Sequence, residues 1–159
     1  MDYIIELMNI EEASNIMKWQ YPKPYDIYNN EENEETLSEL LSGSYYSVKF
    51  EDQLLGFYCY GDCAKIPIKE AKDLYKESNF LDIGLGLNPN MCNRGLGIDF
   101  LKAGIIYASD LFNYNKFRLT VASFNLRAIK VYRKAGFNIE NAFIRLSDNK
   151  EFYVMLKTE

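Results

Sequence analysis

Asp82-Ile83-Gly84-Leu85-Gly86-Leu87-Asn88-Pro89-Asn90-Met91-Cys92-Asn93-Arg94-Gly95-Leu96-Gly97-Ile98 is the stretch from which the rest of the chain can be read. An apolar run broken by two glycines enters a turn at Asn88 and Pro89, and Arg94-Gly95-Leu96-Gly97 then stands directly before a long amphipathic segment. The pattern predicts strand, glycine loop, helix. The first amides of a helix have no partner inside it, and its aligned peptide dipoles leave partial positive charge there, so the junction can hold a phosphate. Gly95 and Gly97 carry no Cβ, which lets an anion come close to the backbone and permits positive φ. Two commoner loops are excluded by spacing. A dinucleotide fingerprint needs a third glycine where Pro89 and Phe100 stand, and a nucleoside-triphosphatase loop needs Gly-Lys-Ser or Gly-Lys-Thr. An anion site and a plain strand-to-helix turn whose glycines ease a bend both remain open readings.

A chain of 159 residues fits one domain, spanning 1–159, large enough to bury roughly 70% of its unfolded surface. Its three cysteines do not suggest a disulfide framework and favour a reducing compartment. Cys59 and Cys63 lie four apart on a predicted strand and read as small buried apolar residues on one face. The chain has no histidine, so a closed zinc site lacks soft ligands and no imidazole triad can form. No metal is expected. Acid and base work falls to carboxylate, tyrosine, lysine or thiol. A formal net charge of −5 argues against nucleic acid and suits a cationic small molecule. The opening residues do not resemble a signal segment and no apolar run approaches membrane-spanning length, so the expected location is cytoplasmic, with no membrane partner. With 13 Tyr against 10 Phe, either a tyrosine-lined pocket or an interface is indicated, and a homodimer is a further expectation.

Outward from the central stretch, Tyr3 to Met8 predicts a strand and Ile10 to Trp19 a helix with Ile10, Ala13, Ile16 and Met17 on one face. Two prolines, Pro22 and Pro24, prevent a regular helix around Tyr21, Tyr25 and Tyr28. These aromatics either roof a pocket or pin a loop to the core. Glu31, Glu32, Glu34 and Glu35 lead into a helix whose apolar face is Leu37, Leu40 and Leu41, and there they oppose the dipole. Tyr45 to Phe50 and Gln53 to Tyr60 form a hairpin about Glu51-Asp52. Gly61 to Asn79 is irregular or partly helical. After Gly97 comes a helix marked by Ile98, Leu101, Ile105, Ala108 and Phe112, then a strand from Phe117 to Ser123. Asn125 to Ala135 is a helix with Asn at its start and Gly136 just past its end. Strands from Phe137 to Leu146 and Glu151 to Lys157 close the chain.

This order of elements resembles the GCN5-related N-acetyltransferase (GNAT) superfamily over essentially the whole chain. Cys92-Asn93-Arg94-Gly95-Leu96-Gly97 is similar to that family's Arg/Gln-x-x-Gly-x-Gly/Ala, with Cys92 where Arg or Gln is usual. Asn125-Leu126-Arg127-Ala128-Ile129-Lys130-Val131-Tyr132-Arg133-Lys134-Ala135-Gly136-Phe137 is similar to the second half of its cofactor site. The resemblance implies an α/β (α+β) fold: a mixed, mostly antiparallel sheet of six to seven strands, splayed in a V between the fourth and fifth, with about four flanking helices.

It further implies acetyl-CoA as cosubstrate and acetyl transfer to a primary amine of a small molecule within a ternary complex. The pantetheine arm would bond to the backbone of Leu85, Gly86 and Leu87 by strand addition. The pyrophosphate would meet the amides of Asn93, Arg94, Gly95, Leu96, Gly97 and Ile98, which supplies the anion that the glycine loop can hold. By similarity Tyr132 is the general acid for the leaving thiolate, and Asn125 is a hydrogen-bond partner of the arm. Seven residues apart, the two stand about 10 Å along one helix face. From the residues themselves, Asn125 reads equally as a helix cap and Tyr132 as a half-buried aromatic. Asp82 is the candidate base, in the region where some relatives place a carboxylate, although strand alternation can turn it away. The acceptor is expected near Tyr21, Tyr25 and Tyr28. A non-catalytic acyl-CoA-binding module of the same fold is the alternative.

Overall fold

Local chemistry sets the element boundaries. Asn9 caps the first helix by accepting from the Glu12 amide while Glu12 returns the bond to the Asn9 amide, a reciprocal pair that satisfies two otherwise unpartnered donors. Asn33 caps the second helix through the Thr36 amide, with Glu34 and Glu35 in its first turn against the positive end of the dipole. Glu51 and Asp52 both adopt positive φ, 50° and 64°, the backbone that a two-residue hairpin needs to match strand twist.

The computed structural model describes residues 2–158. Strand β1 (Ile4–Leu7) leads to α1 (Ile10–Met17), α2 (Glu34–Leu40), β2 (Tyr45–Phe50), β3 (Gln53–Tyr60) and β4 (Leu81–Leu87). Then follow α3 (Gly97–Phe112), β5 (Phe117–Ala122), α4 (Leu126–Lys134), β6 (Asn138–Arg145) and β7 (Lys150–Lys157). Short 3-10 turns occupy Tyr25–Tyr28, Asp62–Ala64, Lys69–Tyr75 and Pro89–Met91. The seven strands run in the order β1-β2-β3-β4-β5-β7-β6. β1/β2, β2/β3, β5/β7 and β6/β7 are antiparallel and β4/β5 is parallel. The α+β sheet expected from the resemblance is therefore present, and α3 supplies the crossover a parallel pair requires. The β4/β5 register joins Leu81 to Phe117 and Asp82 to Arg118 and goes no further.

Contacts divide the chain into two compact units. One holds the chain up to Cys59 together with Leu85–Leu96, and the other holds Tyr60–Gly84 together with the chain from Gly97 onward. In the first, Ala13, Ile16, Leu40, Val48, Leu55 and Tyr58 are buried. In the second, Phe100, Leu101, Phe117, Leu119, Phe137, Val154 and Met155 form the interior, and the Tyr60 hydroxyl donates to the Gly104 carbonyl of α3 at 2.7 Å.

One strand reading needs correction. Gly61, at φ 90°, ends β3, so Cys63 is not on the strand with Cys59. It lies in the following 3-10 turn, half exposed, and its thiol donates to the Tyr60 carbonyl at 3.3 Å. Cys59 is buried as expected.

Candidate active site

Along β4 burial changes midway. Leu81, Asp82 and Ile83 are buried, whereas Gly84, Leu85, Gly86 and Leu87 are half-buried. Gly86 is needed for packing, since a Cβ there would run into the Phe57 ring. Gly86→Ala is expected to cost about 1–3 kcal/mol by chemical denaturation through overpacking. Phe57→Leu in the same chain should recover part of that loss, and an equal loss in both backgrounds would show that the ring is not the cause. Asn88 then locks the strand's end. Its amide N–H donates to the Leu55 carbonyl at 2.8 Å, its side-chain nitrogen donates to the Leu54 carbonyl at 3.1 Å, and its side-chain oxygen accepts from the Asn90 amide at 3.0 Å.

Tyr21 reaches the same strand end. Its hydroxyl donates to the Leu87 carbonyl at 2.7 Å, and its amide donates to Asn29 Oδ1 at 2.7 Å. Burial, and then the neighbouring Cys92, hold the Tyr21 phenol well above its ordinary pKa, so it is a donor at neutral pH. Tyr21 thus anchors the aromatic loop to β4, and Tyr25 and Tyr28 lie in the 3-10 turn that follows. Tyr28 is among the exposed large side chains.

After the Pro89–Met91 turn the backbone turns left-handed at Asn93, φ 62°, and again at Gly95, φ 73°. Backbone curls of this sign turn successive N–H groups to one side and make anion-binding concavities. Asn is the non-glycine residue that tolerates the conformation best. Cys92 is half-buried and its thiol lies 3.7 Å from the Asn88 carbonyl. Arg94 is exposed, and with Asn15, Trp19, Phe50, Leu54 and Met91 it lines an open cavity of about 530 Å³ in the first unit.

In the second unit α3 opens at Gly97 with Ile98 behind it and Asp99 in the first turn. A Cβ on Gly97 would lie 3.2 Å from a methyl of Val131, so the missing side chain lets the mouth of α3 approach α4. Val131 is followed by Tyr132, which is half-buried with its ring 6.3 Å from that of Phe137. Asn125 is the N-cap of α4, its side-chain oxygen accepting from the Ala128 amide at 3.1 Å. Capping therefore occupies the oxygen that the sequence left open to two uses.

Asp82 is placed where sequence reasoning did not foresee. Both its oxygens accept from Arg118, at 2.8 Å from Nε and 2.7 Å from Nη2, and both side chains are 3% exposed. Arg118 also donates to the carbonyls of Glu77 and Tyr75 at 3.2 and 3.3 Å. Lys65 Nζ lies 3.9 Å from the second Asp82 oxygen. The Tyr75 hydroxyl is 2.7 Å from Thr120 Oγ1 and accepts from the Ile66 amide. Its pKa is raised by burial, partly offset by those hydrogen bonds. No spacing rule pairs Arg118 with Asp82 across 36 residues. The one available hint was alternation in β5, which puts Arg118 and Thr120 on one face.

Among the described residues, no group of three or more His, Cys, Asp or Glu side chains could hold a metal ion. No described helix is long and apolar enough to cross a membrane.

The model of the acetyltransferase (GNAT) family matches residues 10–137, while no curated protein sequence matches. Among solved structures the chain is similar to AAC(6')-Ib in complex with ribostamycin and coenzyme A, with 15% identity, TM-score 0.77, and cover of 100% of this chain and 94% of that one. It is also similar to a spermidine N-acetyltransferase SpeG chimera from Vibrio cholerae and hSSAT, with 15% identity, TM-score 0.68, and cover of 98% and 94%. A GNAT-family acetyltransferase from Bacillus anthracis matches at 16% identity and TM-score 0.66, with cover of 97% and 93%. At these identities the structural likenesses speak for the fold, whereas the family model spans most of the sequence. This chain belongs to the acetyltransferase (GNAT) family.

Proposed function

We propose that this chain moves an acetyl group from acetyl-CoA to a primary amine of a small molecule by direct transfer, with both bound at once. The observation that carries the reading is the register of β4, which is joined to β5 through two residue pairs and then runs on to the curled loop at Asn93–Gly95 and the open end of α3. A strand whose pairing stops early keeps backbone groups for an extended ligand. In this reading Leu85, Gly86 and Leu87 take the amides of the pantetheine arm, and the amides of Asn93, Arg94, Gly95, Leu96, Gly97 and Ile98 take the diphosphate. The residues present fit that ligand, since a carbonyl such as that of Leu87 keeps a second lone pair beside its bond from Tyr21.

In the transfer step the amine nitrogen forms a bond to the thioester carbonyl carbon, the carbon–sulfur bond breaks, and the departing sulfur takes the proton of the Tyr132 phenol. The proton lost by the amine goes to solvent through water, and solvent returns a proton to the Tyr132 phenolate. Asp82 is given no part in proton transfer, because both of its oxygens are held by Arg118. Asn125, whose side-chain oxygen caps α4, orients the arm with its side-chain NH2 group. Tyr21, Tyr25 and Tyr28 border the acceptor, where aromatic faces attract a cation and the net charge of −5 helps gather it. The neighbours named for ribostamycin and spermidine are amine acetyltransferases of the same fold, which supports an amine acceptor. We place the chain in the cytoplasm, where its three cysteines would stay reduced.

Calorimetry with acetyl-CoA, followed by thiol release over a panel of primary amines, tests this reading. Saturable binding and amine-dependent release are expected. Binding without release for any amine would favour the non-catalytic module, and no binding at millimolar ligand would contradict both.

A further inference from the structure

Within the second unit one side chain, that of Arg118, is bonded both to the start of β4 and to the segment that leads into it. Arg118 holds both oxygens of Asp82 at 2.8 and 2.7 Å. It also holds the carbonyls of Tyr75 and Glu77 at 3.3 and 3.2 Å. Its guanidinium lies 5.3 Å from the Tyr75 ring and 5.9 Å from the Phe80 ring. Asp82 in turn takes the Gly61 amide on its own carbonyl at 2.9 Å, and the neighbouring Leu81 amide donates to the Lys116 carbonyl at 3.0 Å. These bonds gather the residue that follows β3, the segment that leads into β4 and the first residues of β4 around one buried ion pair.

The position of the pair within the register is what makes it more than a core contact. Asp82 and Arg118 are themselves the last registered pair of β4 and β5. A two-pair parallel ladder is short, and its register is only weakly specified by so few backbone bonds. Two parallel N–H···O bonds from a rigid fork to a carboxylate fix it, because a slip of one residue would turn Asp82 to the opposite face. A buried ion pair is also poor evidence of stabilisation as such, since apolar residues of similar volume commonly serve as well.

We propose that Arg118 is a positioning residue, pinning β4 to β5 at their last shared pair and thereby fixing which β4 backbone groups are left for acetyl-CoA. The cofactor half of this inference rests on the acetyltransferase reading above.

The test uses the full chain and the double variant Asp82→Leu with Arg118→Met, which removes the pin without leaving a lone buried charge. Hydrogen exchange, measured without ligand, is expected to quicken by about tenfold at the Leu81 and Gly61 amides relative to amides of the β6/β7 ladder. The acetyl-CoA Kd of the folded variant is expected to weaken by about tenfold, with the amine KM unchanged. A merely structural role would lower the melting temperature and leave the Kd of the folded protein unmoved, and that result overturns the proposal. Unchanged exchange at Leu81 and Gly61 overturns the pin itself. Should the wild-type chain fail to bind acetyl-CoA, the functional reading falls, and exchange still decides the pin. If the double variant does not fold, Arg118→Lys keeps the charge and loses the fork. A weakened Kd then supports the proposal and a wild-type Kd overturns it.

Discussion

Replacing Tyr132 by phenylalanine is expected to lower kcat by about 10²-fold with a true amine acceptor, because a positioned general acid contributes roughly 10²–10⁴-fold. The change deletes one oxygen and keeps the ring, so the packing 6.3 Å from Phe137 persists. The distribution of the effect matters as much as its size. A proton given to departing sulfur is an interaction made in the transition state alone, so kcat and kcat/KM should fall together while the KM for acetyl-CoA stays put. A rise in that KM with kcat unchanged would make Tyr132 a binding group. Equal thiol release by both proteins at every pH would remove it from the chemistry altogether.

Asp82→Ala is expected to cost about 3–5 kcal/mol of stability, measured as a lower urea midpoint at unchanged slope. The reason is the partner left behind. Arg118 is 3% exposed at its side chain and cannot be rehydrated where it stands, so removing the carboxylate leaves an uncompensated buried charge. Against the roughly 5–15 kcal/mol of a typical domain, that loss would take much of the folded population at physiological temperature. The Asp82→Leu, Arg118→Met pair discussed above removes both charges and should be far less costly, even though it changes more atoms. A small loss for Asp82→Ala would mean that water reaches the guanidinium, and the pair would no longer qualify as buried.

What the sequence disclosed follows from the range over which each signal acts. The Glu51-Asp52 hairpin, the Asn125 cap, the Gly136 stop and the glycine loop before α3 were legible because each is decided within a few residues. The hairpin depends on backbone that two adjacent residues adopt, and the caps on an oxygen meeting an amide three residues on. Gly61 to Asn79 was opaque for the opposite reason. Its Lys69–Tyr75 turn is held in place by Arg118, Thr120 and the Leu146 amide, which bonds to Glu70, none of which is near in sequence. Asp82 shows the same limit at the site. Its position in β4 was readable and its partner was not, so a carboxylate that looked available for proton transfer is already bound on both oxygens. Tyr21 is the converse case, an aromatic in a loop whose hydroxyl meets a carbonyl 66 residues away. The cysteine pair failed because alternation was extended past Gly61, whose positive φ ends the strand.

A crystal structure of the chain with acetyl-CoA bound is the most direct measurement of whether β4 and the α3 mouth form one cofactor site. The arm's amides should be found bonded to the backbone of Leu85–Leu87, the diphosphate against the amides between Asn93 and Ile98, and the thioester sulfur within hydrogen-bond reach of the Tyr132 hydroxyl. A cofactor seated elsewhere, with Leu85–Leu87 bonded to protein backbone on both edges, would contradict it.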